Sequence, residues 1–380
     1  MSNINQPLYQ AIYDDIIAKI KNNDLAPGDR LPTEFELIEQ YGVSRITVSR
    51  ALQELVKNGY VTRYRSKGSF VADRKAVSSY PSVSSRQTNT LAFVMPFSSG
   101  VVPQMMFAMQ HAAQKKGYIL SIFNSEKSLE KERDILMQLT GLSLAGVICY
   151  PIESYENLSY YSPFILRGTP LVAIDKTIPF TGVPCIKSDN FRCAYKIVEY
   201  LIEKGHTRIA FYTHTMKDEN EKERFLGYLN ALLDNGISPD SLYFMEIEKD
   251  GDPQHMLEED NAALHSKIAV QLKQIMSLPQ RPTALFCAFD LIAAYVQQQA
   301  SRLGISIPDD LSVVGFDNLS LCDHLQVPLT SIAQDFSAIG HKAVELVSRR
   351  IAGEPVESSY LFDGQVVERS SVKDLTRSKS

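Results

Sequence analysis

The start of one helical pattern, around residue 45, combines short hydroxyl side chains with arginines and so suits contact with DNA. Arg45 could donate two hydrogen bonds to O6 and N7 of a guanine, an interaction worth about 1–3 kcal/mol of base discrimination. Ser44, Thr47 and Arg50 suit phosphate or mixed contacts, because hydroxyl and guanidinium groups bond readily to phosphate oxygens. The alternative is a solvated basic face on a protein-interaction module.

Two short helices must position these side chains. Thr33 is suited to cap the first helix, and Glu36, three residues later, completes a capping box. Gly42 ends that helix, and Ser44 can cap the next one. The apolar positions of the second helix keep helical spacing: Val48, Ala51, Leu52 and Leu55. This order predicts a helix-turn-helix whose second helix enters the major groove.

A basic hairpin is predicted directly after the second helix. Residues 60–64 and 69–71 read as two short strands around a tip at Lys67 and Gly68. An unbranched cation beside a residue without Cβ suits close approach to a narrow minor groove. Residues 41–75 hold eight Lys/Arg against two acidic residues, a net charge of +6 on a chain whose total is −5. A local positive patch on an acidic protein indicates a DNA-binding module attached to something else.

Composition bounds the remaining function classes. A chain of 380 residues, 44% hydrophobic and 22% charged, predicts a globular protein of two or three domains. The five cysteines form no C-x-x-C pair, which favours free thiols in a reducing compartment. The N-terminus has no apolar signal region, and no apolar run approaches the roughly 20 residues of a membrane span. We therefore expect a cytoplasmic protein without a membrane partner.

From Thr90 onwards, short apolar runs alternate with helical patterns. The runs are 91–95, 145–149, 171–174, 208–212, 284–287 and 311–314, and the helical patterns include 190–204, 222–235, 262–276 and 290–303. Strands that are apolar on both faces and alternate with helices predict a parallel sheet covered on each side. In such sheets ligands bind beyond the carboxyl ends of the strands.

Residues directly after these runs are therefore candidates for a ligand site. They are Phe97, Ser98, Tyr150, Asp175, Lys176, His214, Asp290 and Asp317. Asp317 could instead serve a turn or a helix cap, and His214 and Lys176 could simply face solvent. No glycine-rich phosphate loop, nucleophile elbow or His/Cys metal spacing is present, so the sequence predicts no catalytic residues, no cofactor and no metal.

The N-terminal part resembles the winged helix-turn-helix of the GntR family of bacterial transcription regulators. The matching residues are Pro7–Tyr9, Pro27–Pro32, Glu34, Gly42–Arg45, Thr47–Val48, Ala51–Leu52 and Lys67–Val71. The resemblance implies DNA binding and adds Arg30, Glu34 and Ser49 to the DNA-binding candidates. Ser49 and Ser66 depart from residues usual in the family, an arginine and a glycine, which leaves open which bases are read.

Residues 90–370 resemble the effector domain of LacI/GalR repressors, which is related to periplasmic sugar-binding proteins. The resemblance rests on Ser188–Asn190, His206–Ala210, Arg224–Tyr228, Pro282–Asp290, Gly304–Asp317 and Pro328–Thr330. A GntR head fused to such a sensor is similar to AraR-type regulators. The implied fold is an α+β winged helix-turn-helix followed by an α/β two-lobed periplasmic-binding-protein-like domain with parallel sheets.

The resemblance also implies a set of effector contacts. Arg224 and Asp290 match positions that typically contact the small molecule, and Asp175 matches one that often meets a sugar hydroxyl. The residue types alone favour ordinary charges at helix starts, with Asp290 as an N-cap. Phe289 stands where the family has Asn, and Tyr295 where it has Gly, which predicts a more aromatic pocket. Phe97, Tyr150 and Phe289 could stack on a sugar ring or pack in the core or rim.

These observations predict a regulator with three segments. They are residues 1–72 (DNA-binding domain), 73–89 (Ser-rich linker) and 90–370 (ligand-binding domain, with lobe one about 90–188 and 332–354, and lobe two about 190–330 and 357–370). We expect a homodimeric repressor of carbohydrate-utilisation genes whose affinity for double-stranded operator DNA is controlled by a small sugar-like effector in the interlobe cleft. The alternative is a sugar-processing or sugar-binding α/β protein with an accessory DNA-binding head.

Overall fold

The structure is a computed structural model. It describes residues 8–22, 24–26, 28–57, 60–64, 68–71, 88–97, 100–152, 156–214, 216, 219–247 and 262–377. The chain divides into two compact units, residues 1–86 and 87–380. Lys67, Ser66, Ser98 and residues 73–87 of the predicted linker lie outside the described residues.

The first unit is a winged helix-turn-helix, as the sequence predicts. Its elements are α1 (Leu8–Lys21), α2 (Glu34–Tyr41), α3 (Arg45–Lys57), β1 (Val61–Tyr64) and β2 (Gly68–Val71). The two strands pair in antiparallel fashion, and Ile12, Leu37 and Val48 are among the buried side chains of its core. The helices thus pack around one small apolar core.

Local contacts fix the start of α2 and the turn between α2 and α3. Thr33 and Glu36 form the predicted capping box: the Thr33 amide donates to Glu36 Oε2 at 2.7 Å, and the Glu36 amide donates to Thr33 Oγ1 at 3.3 Å. Gly42 ends α2 with a φ of 60°, a conformation that glycine adopts without strain. The Ser44 hydroxyl accepts from the Thr47 amide at 3.3 Å, which confirms its predicted capping role at the start of α3.

The second unit contains two lobes, each built on a six-stranded sheet. Lobe one holds β3 (Thr90–Met95), β4 (Ile119–Asn124), β5 (Gly146–Cys149), β6 (Leu171–Ile174), β7 (Cys185–Ser188) and β13 (Ser359–Phe362). All its strand pairs are parallel, in the order β13-β7-β6-β5-β3-β4. The helices that cover it are α4 (Val102–Lys115), α5 (Leu129–Thr140), α6 (Leu158–Leu166) and α11 (Phe336–Ile351).

Lobe two has the same layered plan. Its strands are β8 (Ile209–His214), β9 (Phe244–Ile247), β10 (Ala284–Cys287), β11 (Ser312–Asp317), β12 (Thr330–Ala333) and β14 (Gln365–Val367). Their order is β14-β12-β11-β10-β8-β9, and β14 is antiparallel to β12. The covering helices are α7 (Asn190–Glu203), α8 (Glu219–Asp234), α9 (Ala262–Met276) and α10 (Asp290–Arg302). Among the described residues, no helix has the length and apolar character needed to cross a membrane.

Within the described residues, the chain passes between the lobes at three places. These lie between β7 and α7, between β12 and α11, and between β13 and β14. The predicted placement of 357–370 in lobe two is wrong for 359–362, because β13 pairs with β7 in a register that joins Ser359 to Cys185. The predicted start of the lobe-one segment at 332 is also too early, because β12 runs to Ala333 in the sheet of lobe two.

Candidate ligand cleft and DNA-binding surface

The carboxyl ends of the central strands of both lobes carry the predicted ligand-site residues. Phe97, Tyr150 and Asp175 follow β3, β5 and β6 of lobe one, and Phe289 follows β10 of lobe two. His214 and Asp317 end β8 and β11. A hydrogen bond of 2.7 Å from Asn220 of lobe two to Asp175 brings the two edges together. The strand ends that carry the predicted ligand-site residues of the two lobes therefore face each other, and we call the region between them the cleft.

Arg224 is the buried cation of this cleft, with 4% of its surface exposed. Its guanidinium lies between two aromatic rings, 3.8 Å from the centroid of Phe316 and 4.7 Å from that of Phe289. Stacking of a guanidinium on aromatic faces is favourable, and more so where water is excluded. The predicted aromatic character of the pocket thus has a defined role, because Phe289 holds the arginine in place.

The edge of the Arg224 guanidinium is bonded to three different segments of lobe two. Nε donates to Asn190 Oδ1 at 2.8 Å, and Nη1 donates to the carbonyl of Ala288 at 2.6 Å. Nη2 lies 3.5 Å from Asp317 Oδ1. The charge is therefore fixed in direction, with Asp317 as its ionic partner.

A chain of hydrogen bonds continues from Arg224 into lobe one. Asn190 Nδ2 donates to Asn220 Oδ1 at 3.2 Å, and Asn220 Nδ2 donates to Asp175 Oδ2 at 2.7 Å. Asn190 is fully buried at the first residue of α7, directly after the first passage between the lobes. The two cleft carboxylates, Asp317 and Asp175, are thus the ends of one polar chain that runs through this passage.

A second contact between the lobes is ionic. Lys187, on β7 of lobe one, lies 2.6 Å from Glu223 and 3.7 Å from Glu219, both on α8 of lobe two. Burial lowers the pKa of Lys187, but the hydrogen bond to Glu223 and the charges that surround Lys187, chiefly those of Glu223 and Glu219, leave the pKa raised. Sequence reasoning missed Lys187, Asn190 and Asn220 as cleft residues. Asn190 alone had a signal, as part of the Ser188–Asn190 segment, which marks the strand-to-helix passage.

Asp290, predicted as an effector contact, lies inside lobe two instead. It is fully buried, and its Oδ1 and Oδ2 accept hydrogen bonds from the Ser331 hydroxyl at 2.6 Å and the Leu319 amide at 2.7 Å. A Cβ at position 315 would lie 2.1 Å from Asp290 Oδ1, so Gly315 makes room for the carboxylate. The structure therefore gives Asp290 the role of tying β12 to the segment after β11.

The other predicted residues divide between the cleft and its supports. The Phe97 and Tyr150 rings meet edge to face, with centroids 5.6 Å apart, and the His214 ring packs 5.3 Å from Phe289. Lys176 Nζ donates to the carbonyl of Ile152 in lobe one, which supports the segment after β5. Ser98 lies outside the described residues.

The partly buried position of Asp317 shifts its pKa. Burial raises the pKa of Asp317 to about 7, the charge of Arg224 lowers it, and the charges of Asp290 and Asp175 raise it. Gln334 Nε2 also donates to Asp317 Oδ1 at 2.6 Å. Burial likewise raises the pKa of Asp290 to about 6. Burial thus raises the pKa of one carboxylate at the cleft, Asp317, and of one inside lobe two, Asp290.

Asp317→Asn is expected to weaken the pH dependence of folding. Between the ordinary pKa of 3.8 and the folded value of about 7, the folded state binds more protons than the unfolded state. The free energy of unfolding of the wild type therefore falls as the pH rises through this window. Urea denaturation at about pH 5 and about pH 8 should show a smaller fall for Asp317→Asn. The exposed Asp309→Asn is the control, and equal falls for wild type and Asp317→Asn would contradict the assignment.

On the first unit, Arg45 is a highly exposed DNA-binding candidate. It begins α3, and its side chain is 82% exposed, with Nε 3.4 Å from Glu34 Oε2. An exposed pair of this length contributes little to stability, so the guanidinium is available to another partner. Glu34 holds it over the start of the helix.

The remaining described candidates frame the same helix and the wing. Thr47 shares a hydrogen bond of 2.9 Å with Ser44, and the Arg50 guanidinium lies 4.1 Å from the centroid of the Tyr9 ring. Arg30 forms an isolated bridge with Phe70 on β2, next to Gly68, so its segment extends the wing. Ser49 is half-buried on α3. These placements leave Arg45 and Arg50 as the described cations of α3 with exposed positions.

Comparison with known families gives the decisive observation. The profile of bacterial regulatory proteins of the gntR family matches residues 8–71, and that of the periplasmic binding protein-like domain matches residues 198–372. The chain therefore combines a GntR-type DNA-binding domain with a periplasmic binding protein-like domain. The resemblance stated from the sequence is thereby confirmed, and so is the fold class.

Curated relatives match most of the length of this chain. The arabinose metabolism transcriptional repressor of Geobacillus stearothermophilus is 25% identical over 375 residues, which cover 97% of this chain and 98% of that protein. The HTH-type transcriptional repressor CytR of Escherichia coli strain K12 is 29% identical over 348 residues, 88% of this chain and 94% of CytR. The regulator is therefore similar to repressors along both of its units.

Two solved structures resemble it in fold. The complex of the transcriptional regulator CelR with cellobiose covers 87% of this chain and 91% of that one, with a TM-score of 0.65 and 22% identity. A periplasmic binding protein/LacI transcriptional regulator from Alkaliphilus metalliredigens QYMF, complexed with D-xylulofuranose, covers 75% of this chain and 99% of that one, with a TM-score of 0.59 and 26% identity.

Proposed function

We propose that this regulator is a repressor of carbohydrate-utilisation genes, and that a small sugar bound in the cleft controls its affinity for operator DNA. The observation that carries this proposal is the pair of carboxylates, Asp175 and Asp317, that the two lobes direct to one cleft around the fixed cation of Arg224. Carboxylates and a guanidinium can hold several hydroxyl groups in fixed geometry. The chain acts by binding and not by catalysis, in the cytoplasm, where operator DNA lies.

The polar chain from Asp317 to Asp175 supports a mechanism for control. A sugar that hydrogen-bonds to Asp317 and Asp175 replaces or supplements the contacts that Arg224 and Asn220 make with these carboxylates. Such a change favours one relative position of the lobes over another. Asn190 lies in the middle of this chain of hydrogen bonds and begins α7 at the first passage between the lobes. A change in its hydrogen bonds therefore acts directly on a segment that joins the lobes. The names of the relatives, which include repressors of arabinose metabolism, support a sugar as the ligand.

A thermal-shift screen tests the ligand class. L-arabinose, D-xylulose and cellobiose should be compared with their phosphorylated forms and with nucleosides. A specific ligand at 100 times its Kd stabilises the folded state by about 2.7 kcal/mol, so the melting temperature of the protein should rise by several degrees. The same sugar should change the operator affinity of the wild type in a gel-shift assay. Stabilisation by nucleosides alone would contradict the sugar proposal.

The proposed repressor binds DNA as a homodimer, and an apolar surface of lobe one supports this. Phe107 on α4 is 73% exposed, and Ile119 and Ile122 on the edge strand β4 are 66% and 40% exposed. The helix and the strand are neighbours. Exposed apolar side chains beside an unpaired strand edge are suited to a symmetric contact with a second copy.

Charges on this surface are expected to dissociate the dimer. The double change Phe107→Glu and Ile119→Lys should raise the dimer dissociation constant by about 100-fold or more, because burial of each large apolar side chain contributes about 1.5–3 kcal/mol. Sedimentation at micromolar protein measures it. Leu242→Glu, at an equally exposed leucine of lobe two (60% exposed), is the control. A dimer unchanged by the double change would exclude this surface, and a monomeric wild type would exclude the dimer.

A further inference from the structure

The backbone at the cleft end of β11 is held in an unusual conformation. Asp317 has a φ of 115° and Asn318 a φ of 51°. Residues with a side chain rarely adopt positive φ, and two in succession persist only where the surroundings fix them. Asp317 is the carboxylate that faces Arg224, so this strained pair determines where a cleft charge stands.

Contacts from inside lobe two account for part of this restraint. The Asn318 amide donates to the Ser331 hydroxyl at 3.2 Å, and the Leu319 amide donates to Asp290 Oδ2 at 2.7 Å. Both acceptors lie beneath the segment 318–329, which leads from the cleft back to the start of β12. They fix the amides of Asn318 and Leu319 but not the Asn318 side chain.

Arg369 fixes that side chain and the rest of the segment. Its Nη2 donates to Asn318 Oδ1 at 2.9 Å. Its Nε donates to Asp323 Oδ1 at 2.7 Å, and its Nη1 donates to the Leu329 carbonyl at 2.8 Å. The Arg369 side chain is 12% exposed. Its three guanidinium nitrogens donate hydrogen bonds to the two ends and the middle of the segment 318–329.

The backbone of Arg369 is anchored as well, because its amide donates to Thr330 Oγ1 at 2.9 Å. The neighbouring Ser371 is fully buried, accepts from the Thr330 amide at 2.9 Å and donates to the Val313 carbonyl at 2.6 Å. The guanidinium therefore projects from a point tied to β11 and β12, the two strands that the segment connects. A planar fork with three fixed donors can clamp a segment in a way that an ammonium group cannot.

We propose that Arg369 is a positioning residue of the ligand cleft: it holds the segment 318–329 so that the strained Asp317 presents its carboxylate beside Arg224. This inference rests on the proposed role of the cleft in effector binding. Arg369 lies outside the cleft, about fifty residues along the chain from the aspartate it positions. Its removal should loosen the Asp317–Asn318 backbone while leaving the fold of lobe two intact.

Hydrogen exchange measured by mass spectrometry tests the positioning role without a ligand. In Arg369→Met, peptides that cover residues 317–325 should exchange at least about 10-fold faster than in the wild type, while peptides of α10 keep their protection. Lys373→Met is the matched control: it removes a cation of the same tail, bonded to Asp309 at 2.9 Å. Unchanged exchange of 317–325, or an equal rise across α10, would overturn the proposal.

If Arg369→Met folds poorly, the conservative variant Arg369→Lys provides a second test. Arg369→Lys retains the charge and at most part of the fork, so exchange at 317–325 should rise by less than in Arg369→Met but clearly above Lys373→Met. Exchange of Arg369→Lys equal to that of the wild type would overturn the assignment of a clamp.

Ligand binding gives an independent readout with L-arabinose, D-xylulose and cellobiose as probes. For a sugar that the wild type binds, Arg369→Met should weaken affinity about 10-fold, and in an Asp317→Ala background the same change should have no further effect. Additive losses would contradict positioning through Asp317. If the wild type binds none of these sugars, that result counts against the proposed ligand class, and hydrogen exchange alone decides on Arg369.

Discussion

Arg224→Ala should abolish the effect of the sugar on operator binding and lower the free energy of unfolding by about 3–5 kcal/mol, as is usual when one partner of a buried ion pair is removed. The substitution leaves the half-buried Asp317 without its cation and the buried Asn190 and Ala288 oxygens without a donor. It also leaves a void between the rings of Phe289 and Phe316.

Two measurements separate the losses in Arg224→Ala. Chemical denaturation gives the change in stability, and gel shifts with and without the sugar give the response at a temperature where the variant is folded. Arg281→Ala, at an arginine whose side chain is 49% exposed, is the control and should change stability by no more than about 0.5 kcal/mol. If the sugar changed the operator affinity of Arg224→Ala as much as that of the wild type, Arg224 would not be a residue of the effector site.

The second large effect is expected at the start of α3. Arg45→Ala should weaken operator binding by about 10- to 100-fold, because a bidentate arginine–guanine contact contributes about 1–3 kcal/mol. Stability should hardly change, since the side chain is 82% exposed and its pair with Glu34 spans 3.4 Å. Fluorescence anisotropy with an operator fragment selected in vitro measures the affinity.

Salt dependence distinguishes the two possible roles of Arg45. A lost phosphate contact lowers the slope of log affinity against log salt by about 1, whereas a lost base contact leaves the slope nearly unchanged and relaxes preference at one base pair. Lys19→Ala, at a cation on α1 paired with Asp15, serves as the control. Unchanged affinity in Arg45→Ala would remove α3 as the recognition helix.

Elements with a strong local pattern could be predicted from the sequence. The Thr33 capping box and the apolar runs that became β3, β5, β6, β8, β10 and β11 are determined by neighbouring residues. By contrast, β4 is a half-exposed edge strand of mixed polarity, and β7 includes the charged Lys187, whose burial is compensated only by α8 of the other lobe. Such strands have no signature until their distant partners are known.

The same distinction separates the two aspartates of the cleft region. Position after an apolar run predicted both Asp290 and Asp317 as ligand contacts. Their orientations depend on contacts that are distant in sequence. Gly315 leaves room for the Asp290 carboxylate inside lobe two, and Ser331 donates a hydrogen bond to it. Arg224 and Gln334 hold the Asp317 carboxylate at the cleft. A pattern that places a residue at a strand end does not determine which way its side chain points.

The three passages between the lobes restrict how this sensor can be recombined. Neither lobe is a continuous stretch of sequence, since β13 and α11 of lobe one follow most of lobe two along the chain. A single break inside 88–377 would therefore divide at least one lobe between two fragments. Transfer of the sensing activity to another DNA-binding head requires the whole segment as one cassette, whereas grafts that exchange one lobe must splice the chain at all three passages.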